Sequence, residues 1–169
     1  FNLLIFVNSN DFTDLKISLS SIQSQLYPEW KVHLVAKDSL SNELDEFLKY
    51  FKDERIVSSK EIPTFKKCWV GQIKPGDSLY ENALFLMAIS ISQHPESEIV
   101  YSDHDHLTPA GLFIDPYMKP DWNPDLLLGA YYFSILTLFK DSIWDKYFEN
   151  SENIHNFSIA ATKNTSKNS

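Results

Sequence analysis

The sequence predicts an α/β fold in which a mostly parallel β-sheet is flanked by helices. Short apolar runs typical of buried strands alternate with stretches whose apolar residues recur at helical spacing. The composition agrees, because 43% of the 169 residues are hydrophobic and 22% are charged, which is typical of a globular chain. Such sheets bind ligands at the carboxyl ends of their strands, so the loops after Val7, Ala36, Ile73 and Ser102 are the ones of interest.

The first half of the chain predicts a strand, a helix, a strand, a helix and a short strand, in that order. Their bounds are about Asn2 to Val7, Leu15 to Leu26, Lys31 to Ala36, Leu40 to Phe51 and Arg55 to Ser58. The first strand is almost continuously apolar, and the helices repeat apolar residues every three or four positions. Asn10 or Asp11 can cap the first helix, and Pro28 lies just past its end.

The second half predicts a strand, a turn, a helix, a strand, an irregular segment, a helix, a strand and a helix. Their bounds are about Cys68 to Ile73, Pro75-Gly76, Leu79 to Gln93, Glu98 to Ser102, Asp103 to Trp122, Pro124 onward, Ser134 to Phe139 and Ile143 to Phe148. Asn123 supplies a cap for the helix that starts at Pro124. We assign residues 1–150 to one domain, and residues 151–169, which hold few apolar side chains, to a polar tail or a truncated continuation.

Charge and hydropathy argue against two classes of partner. The net charge is −8 and Arg55 is the single arginine, so we expect no nucleic-acid partner. The longest uncharged run, Leu126 to Phe139, is shorter than the roughly 18 residues that span a bilayer, so no transmembrane segment is predicted.

The single cysteine, Cys68, excludes an internal disulfide. Because the chain begins at Phe1, inside a predicted strand, we expect it to be a piece of a longer protein.

Two acidic side chains follow the strand that ends near Ser102. On an extended backbone Asp103 and Asp105 face one way, while His104 and His106 face the other. Two carboxylates on one face can hold Mg²⁺ or Mn²⁺, which prefer oxygen ligands and in turn bind phosphate. The alternative is that these acids are solvated loop residues that cap backbone amides. An Asp/His zinc site lacks the supporting H-E-x-x-H pattern.

A second group of candidates lies in the loop that leads to the helix start at Asn123. Lys119, Asp121 and Trp122 are placed there, and loops on a rigid scaffold are where binding residues concentrate. The alternative is that Trp122 packs the loop onto the core and that Lys119 pairs with an acid. The sequence has no G-x-S-x-G, Walker or G-x-G-x-x-G motif, which argues against triad hydrolases and P-loop enzymes.

The chain carries Ile99-Val-Tyr-Ser-Asp-His-Asp, then Gly111, then Lys119-Pro-Asp-Trp-Asn-Pro-Asp-Leu-Leu. These runs resemble the YSDED…G…KPDWSPDLL signature of bacterial family 2 glycosyltransferases of the polysaccharide type, which act on O-antigen and rhamnan. The resemblance covers nearly the whole chain, including Ser20-Ser-Ile-Gln-Ser-Gln-Leu-Tyr-Pro-Glu-Trp30 and Asp53-Glu-Arg-Ile56.

The resemblance implies a GT-A-like fold, a nucleotide-sugar donor, a glycan acceptor and a divalent metal, Mn²⁺ or Mg²⁺. It also implies a cytoplasmic protein, or one peripheral at the inner membrane through a partner or a further segment. The residues that it places at the donor or acceptor site are Asp77, Asp103, Asp105, Lys119, Asp121 and Trp122. Asp103 and Asp105 are the candidate metal ligands.

The chain departs from the family pattern at three acidic positions. Val35-Ala-Lys-Asp-Ser39 stands where the family has vDDGS, and Ile73-Lys-Pro-Gly-Asp-Ser78 stands where it has LDxDD, which leaves only Asp77. The family's EDyDLalR, which holds the catalytic base, aligns at best with His155-Asn-Phe-Ser-Ile-Ala-Ala-Thr162. Asn and Ser cannot act as carboxylate bases.

Three hypotheses are therefore open. The first is an active glycosyltransferase that uses Asp77, Asp103 and Asp105, with the base supplied by residues beyond Ser169 and Lys74 offered as a phosphate-binding cation. The second is a non-catalytic relative that holds a partner glycosyltransferase domain or binds a glycan, as the losses at Ala36, Lys74 and Asn156 suggest. The third is an unrelated α/β domain.

Overall fold

The computed structural model describes residues 1–36, 38–129, 132–133 and 135–148. The strands are β1 (Asn2–Val7), β2 (Lys31–Ala36), β3 (Ile56–Ser59), β4 (Trp69–Gln72), β5 (Ile99–Tyr101), β6 (His104–Leu107), β7 (Phe113–Tyr117) and β8 (Thr137–Lys140). The helices are α1 (Thr13–Gln23), α2 (Ser41–Leu48), α3 (Ala83–Gln93), α4 (Pro124–Gly129) and α5 (Asp141–Tyr147).

Six strands form the main sheet, in the order β3-β2-β1-β4-β8-β5. The first four are parallel to one another, and β8 runs antiparallel between β4 and β5. Since β4 and β5 are both antiparallel to β8, they share one direction with β1 to β3. The predicted mostly parallel sheet is confirmed, with one reversed strand near its edge.

The apolar core has two layers, one on each face of the sheet. Side chains alternate along β1, so Leu3 and Ile5 pack into the first layer while Leu4 packs into the second. The first layer takes the apolar faces of α1, α2 and α3, with the buried residues Leu15, Leu19, Ile22, Leu44, Leu84 and Met87. The second takes α4 and α5, with Leu127, Ile143 and Trp144. Helices therefore flank both faces, as the alternating pattern predicts.

The prediction of irregular structure from Asp103 to Trp122 is wrong in part, because this segment contains the β6–β7 hairpin. The turn of the hairpin is closed by Thr108, whose N–H bonds the Leu112 carbonyl at 2.9 Å and whose hydroxyl accepts the Leu112 N–H at 3.0 Å. Gly111 takes φ +79°, a left-handed conformation that suits glycine. Pro116 lies within β7. Because proline is rare inside strands, its presence argued against predicting a strand here from the pattern of apolar and polar residues.

Helix α3 begins at Ala83, four residues later than the predicted Leu79. Polar side chains of Ser21 in α1 and of Gln25 just after it fix the backbone before Ala83 in a non-helical path. Ser21 Oγ accepts the Leu79 N–H at 3.0 Å, and buried Gln25 donates to the Tyr80 carbonyl at 2.7 Å while accepting the Leu84 N–H at 2.9 Å. These bonds replace the first turn that the periodicity predicts.

Side chains of the Asp53-Glu-Arg-Ile56 run make contacts that stabilise the fold. The Arg55 guanidinium donates to both Asp53 carboxylate oxygens, at 2.9 and 2.8 Å, and lies 3.7 Å from the centre of the Trp30 ring. Gln23, at the end of α1, donates to Asp53 Oδ2 at 3.3 Å. The run therefore ties α1, the entry to β2 and the start of β3 together.

Other predictions fall partly outside the described residues. The polar tail at 151–169 and the boundary near residue 150 lie there, so both stay predictions. The predicted strand from Ser134 is observed as β8, starting at Thr137, and Ser134 itself lies outside the described residues. None of the helices in the described part of the chain has the length and apolar character needed to cross a bilayer.

Candidate functional site

Polar segments gather at one edge of the main sheet. Strands β1, β2, β4 and β5 share one direction and end at Val7, Ala36, Gln72 and Tyr101, so the loops that follow them leave at the same edge. Leu138 of β8 pairs with Gly71 on one side and Val100 on the other, which makes the ends of β4 and β5 level. The edge that the sequence singled out is the one at which the candidate residues lie.

A cleft of about 430 Å³ opens beside the end of β1, within the range of roughly 300–1,000 Å³ usual for small-molecule sites. It is lined by Asn8 and Ser9, by the first turn of α1 and by Pro75 from the loop after β4. Ser9 Oγ accepts the Asp11 N–H at 3.1 Å, and the Asp11 carboxylate accepts the Thr13 N–H at 3.1 Å. Hydrogen bonding by the Thr13 side chain, and then by its backbone N–H, holds the pKa of Asp11 below its ordinary value. Sequence reasoning identified this loop but named no binding residue in it. The available signal was the polar run that follows the buried strand.

Asp77 lies in a tight turn after β4. Its carboxylate accepts the Lys74 N–H at 3.0 Å, and its own N–H donates to the Lys74 carbonyl at 3.0 Å. The turn is fastened to α1 by buried Ser18, whose hydroxyl accepts the Gly76 N–H at 3.0 Å and donates to the Lys74 carbonyl at 3.2 Å. Burial raises the pKa of Asp77, against the bond from Lys74 and the charges of Lys74 and His104. Asp77 is thus a half-buried acid in a fixed position.

Asp103 connects the end of β5 to the second candidate segment. Its carboxylate accepts the backbone N–H of Lys119 at 2.7 Å. Burial lowers the pKa of the Lys119 ammonium to about 8, while the charge of Asp103 opposes that shift. The two residues are 16 positions apart in the chain, and the β6–β7 hairpin brings them together. Asp103 therefore does cap a backbone amide, as the alternative interpretation held, and it also faces a half-buried cation.

Asp105 has a different partner from Asp103. Its carboxylate accepts the Tyr80 hydroxyl at 3.0 Å, from the segment that precedes α3. Sequence reasoning missed Tyr80, because nothing in its local pattern shows that a tyrosine 25 positions away would meet this acid.

His104 lies between these acids, with its ring centre 5.2 Å from that of Tyr117 and 5.9 Å from that of His106. The pairing of the two imidazoles agrees with the predicted common face of His104 and His106, whereas the common face of Asp103 and Asp105 stays a prediction. Among the described residues, the buried Nδ1 of His104 has no hydrogen-bond partner. Burial lowers the pKa of His104, as do the charges of Lys119 and His106, while Asp105 and Asp103 oppose the shift. Titratable groups perturbed by burial and by one another are typical of functional sites.

Asp121 and Trp122 border the site on the side of β5. The Tyr101 hydroxyl donates to the Pro120 carbonyl at 2.8 Å, and burial together with the charges of Tyr132, Asp121 and Asp103 raises the pKa of Tyr101 to about 12. The Trp122 ring stacks on Phe133 with centres 6.0 Å apart, yet 40% of its surface stays exposed. Trp122 thus does pack its loop onto the core, and it presents the other side of the ring to solvent.

The described residues include no group of three or more His, Cys, Asp or Glu side chains placed to hold a metal ion. Mg²⁺ sites commonly use one or two carboxylates together with substrate phosphates. Asp103 and Asp105 each accept one hydrogen bond and keep further lone pairs, so such a site fits the donor set present. The predicted Mn²⁺ or Mg²⁺ stays a prediction. Lys37, the first residue after β2, lies outside the described residues.

Comparison with known proteins gives two sequence relatives, whereas no family model matches the chain. It is 31% identical to the O-antigen biosynthesis protein RfbC of Myxococcus xanthus over 133 residues, which cover 70% of this chain and 10% of that protein. It is 29% identical to protein y4gI of Sinorhizobium fredii over 136 residues, covering 72% of this chain and 15% of that protein. The chain therefore spans a small part of each relative.

Solved structures share the fold. The chain superposes on S. aureus TarS 1–349 in complex with UDP with a TM-score of 0.67 at 14% identity, covering 95% of this chain and 54% of that one. For the complex of TarS 1–349 with UDP-GlcNAc the TM-score is 0.61 at 14% identity, covering 86% and 46%. The chain thus spans about half of those structures.

Proposed function

We propose that this chain is a GT-A-like domain of a family 2 glycosyltransferase, which transfers a sugar from a nucleotide-sugar donor to a growing bacterial surface polysaccharide. The observation that carries the proposal is the gathering of Asp77, Asp103 and Lys119 at the carboxyl edge of this sheet. The same fold in TarS was crystallised with UDP and with UDP-GlcNAc. The likeness to an O-antigen biosynthesis protein supports a polysaccharide product.

The nucleotide would occupy the cleft beside β1. That cleft reaches Pro75, two residues before Asp77, so a nucleotide bound there would lie next to the turn that holds Asp77. The exposed Lys74 side chain belongs to the same turn and supplies a positive charge for phosphate. A cleft with polar walls next to fixed charges is typical of a site for a charged small molecule.

Asp103 and Asp105 would hold the divalent cation, with donor phosphates completing its ligands. When bound, Mn²⁺ or Mg²⁺ offsets the negative charge that develops on the departing diphosphate. Lys119, half-buried beside Asp103, adds a second positive charge at the same place. Asp121 and the exposed side of Trp122 border the remaining space and would contact a sugar of the donor or of the acceptor.

The second candidate function is a non-catalytic one, and the residues at two positions favour it. Ala36 and Lys74 stand where the resembling family has acids, and Lys74 in particular puts a cation where a carboxylate would bind metal. In this alternative the domain binds a glycan, or holds a partner glycosyltransferase domain, without catalysis.

A ligand panel distinguishes the two functions. The thermal midpoint of the 169-residue chain is measured with UDP, GDP, dTDP and CMP sugars, each with and without Mn²⁺. A ligand present at 100 times its dissociation constant stabilises by about 2.7 kcal/mol, which shifts the midpoint by several degrees. The active-enzyme proposal expects one nucleotide series to produce this shift and expects Mn²⁺ to increase it.

Paired variants locate the site. Asp103→Asn and Asp105→Asn should each remove the Mn²⁺-dependent part of the shift. Glu96→Gln is the matched control, because Glu96 is an exposed carboxylate before β5, at the opposite edge of the sheet. A flat panel from well-folded protein would contradict the donor site and favour the non-catalytic function.

A further inference from the structure

Two exposed aromatic rings pack against each other outside both core layers. The ring centres of Tyr80 and Phe113 are 5.3 Å apart, and the residues are 54% and 57% exposed. Phe113 belongs to β7, whose five residues are all exposed. Large apolar side chains that are grouped and left in solvent commonly mark a binding surface.

A carboxylate accompanies this pair. Asp105 Oδ2 accepts the Tyr80 hydroxyl at 3.0 Å, so the acid lies at the polar end of the tyrosine ring. A carboxylate has about four acceptor positions, and this bond uses one of them. The group therefore offers two aromatic rings and a hydrogen-bond acceptor side by side.

The three side chains lie on backbone that is fixed by hydrogen bonds. Buried Gln25 donates to the Tyr80 carbonyl at 2.7 Å, which anchors Tyr80 to the segment that follows α1. Asp105 lies in β6 and Phe113 in β7, and the two strands are paired at Leu107 and Phe113. A surface fixed in this way loses little conformational entropy on binding.

We propose that Tyr80, Phe113 and Asp105 form a glycan-binding platform, on which a neutral pyranose of the acceptor stacks while its hydroxyls bond the carboxylate. This inference rests on the proposed glycosyltransferase function and names where the acceptor lies. The apolar C–H face of a sugar ring packs on aromatic side chains, and its hydroxyl groups donate to carboxylates. The platform adjoins the proposed donor site and shares Asp105 with it, because Asp105 is also a proposed ligand of the donor's cation and follows Asp103 by two residues.

Charge favours a neutral polyhydroxylated ligand over other occupants. The chain has a net charge of −8, and the platform itself contains an acid. Anionic lipid and nucleic-acid phosphate would be repelled by these carboxylates. A sugar hydroxyl meets no such repulsion.

Saturation-transfer NMR on the full chain tests the platform. The probes are the methyl glycosides of rhamnose, galactose, glucose and N-acetylglucosamine, together with disaccharides of these sugars. We expect at least one probe to bind, with Tyr80→Ala or Phe113→Ala weakening its affinity about three- to tenfold, the range of one aromatic contact. Tyr80→Phe keeps the ring and loses the bond to Asp105, so it should weaken binding less than Tyr80→Ala.

Tyr50→Ala is the matched control, since Tyr50 is 85% exposed and follows α2, away from the hairpin. It should leave sugar binding unchanged. Absence of transfer to every probe overturns the platform, as does equal binding by the wild-type chain and both alanine variants. A dimer in light scattering that Phe113→Ala dissolves, without sugar binding, would overturn it in favour of self-association.

The nucleotide-sugar panel separates this failure from failure of the proposed function. Donor binding without sugar binding contradicts the platform alone. Sugar binding at the platform without any nucleotide effect supports the platform and contradicts the donor site.

Discussion

The Asp103 carboxylate accepts the backbone N–H of Lys119 at 2.7 Å, and this contact joins the two segments that carry the sequence signature. The first segment ends β5 and the second leads to α4, so the bond fixes the loop that contains Asp121 and Trp122 against the sheet edge.

Asp103→Ala should destabilise the chain by about 1.5–3 kcal/mol, the usual contribution of a hydrogen bond to a charged group. Asp103→Asn keeps an acceptor oxygen for the Lys119 N–H and should cost less than half as much. Urea unfolding of the two variants measures the difference. Equal destabilisation by alanine and asparagine would show that the bond to Lys119 does not support the loop.

The Asp53 and Arg55 pair should make stability depend on pH in the acid range. The Arg55 hydrogen bonds lower the pKa of Asp53 to about 2, from an ordinary value near 3.8. A carboxyl whose folded-state pKa is depressed contributes stability above its unfolded pKa and loses it as the pH falls through the folded value. The stability advantage of the wild-type chain over Asp53→Asn should therefore be constant above about pH 5 and shrink between about pH 4 and pH 2. A constant difference down to about pH 2 would contradict the pairing.

Ser18→Ala should loosen the turn that holds Asp77, because it removes the acceptor of the Gly76 N–H and the donor to the Lys74 carbonyl. We expect a loss of about 1–2 kcal/mol and faster hydrogen exchange at Gly76 and Asp77, with little change in the β2 amides. Ser24→Ala, at the exposed end of the same helix, is the matched control. Unchanged exchange at Gly76 in Ser18→Ala would show that Asp14, whose carbonyl also accepts the Gly76 N–H at 3.1 Å, holds the turn alone.

Gly71 and Gly129 should respond oppositely to alanine. A Cβ at Gly71 would lie 2.8 Å from the Thr137 carbonyl oxygen and 2.9 Å from Leu138 Cδ2, so β4 and β8 would have to separate. We expect Gly71→Ala to cost about 1–3 kcal/mol, as overpacking usually does. A Cβ at Gly129 meets nothing within 4 Å, and alanine favours helix by up to about 1 kcal/mol. Thermal unfolding of the two variants checks the contrast, and a neutral Gly71→Ala would contradict the tight approach of β8 to β4.

The bounds of the buried strands were predictable, because burial of apolar side chains determines where those strands begin and end. Strands β1 and β2 have the predicted bounds, since a run of apolar residues between polar neighbours has few alternatives to a buried strand. The start of α3 was not predictable, because Ser21 of α1 and Gln25 just after that helix are distant in sequence and override the local periodicity. The hairpin was missed because Pro116 interrupts its second strand.

The candidate site was predictable only where its residues are adjacent in sequence. Asp103, Asp105, Lys119 and Trp122 belong to two short runs, and both runs meet at the predicted edge. Tyr80 meets Asp105 across 25 positions of sequence, through the packing of the segment before α3 against the hairpin. Contacts of this kind carry no signal in local composition.

Strands β4 and β5 touch β8 and not each other, and this has a consequence for how the protein is made. On the ribosome, residues 1–72 can pair β1 to β4 as soon as they emerge, because the sheet neighbours of β1, β2 and β3 all lie within this stretch and β4 pairs with β1. The strand that presents Asp103 has no place in the sheet until Thr137–Lys140 has been synthesised and has inserted between β4 and β5. The acid-bearing edge is thus completed last, and a nascent chain stopped before Thr137 would contain the scaffold without the assembled site.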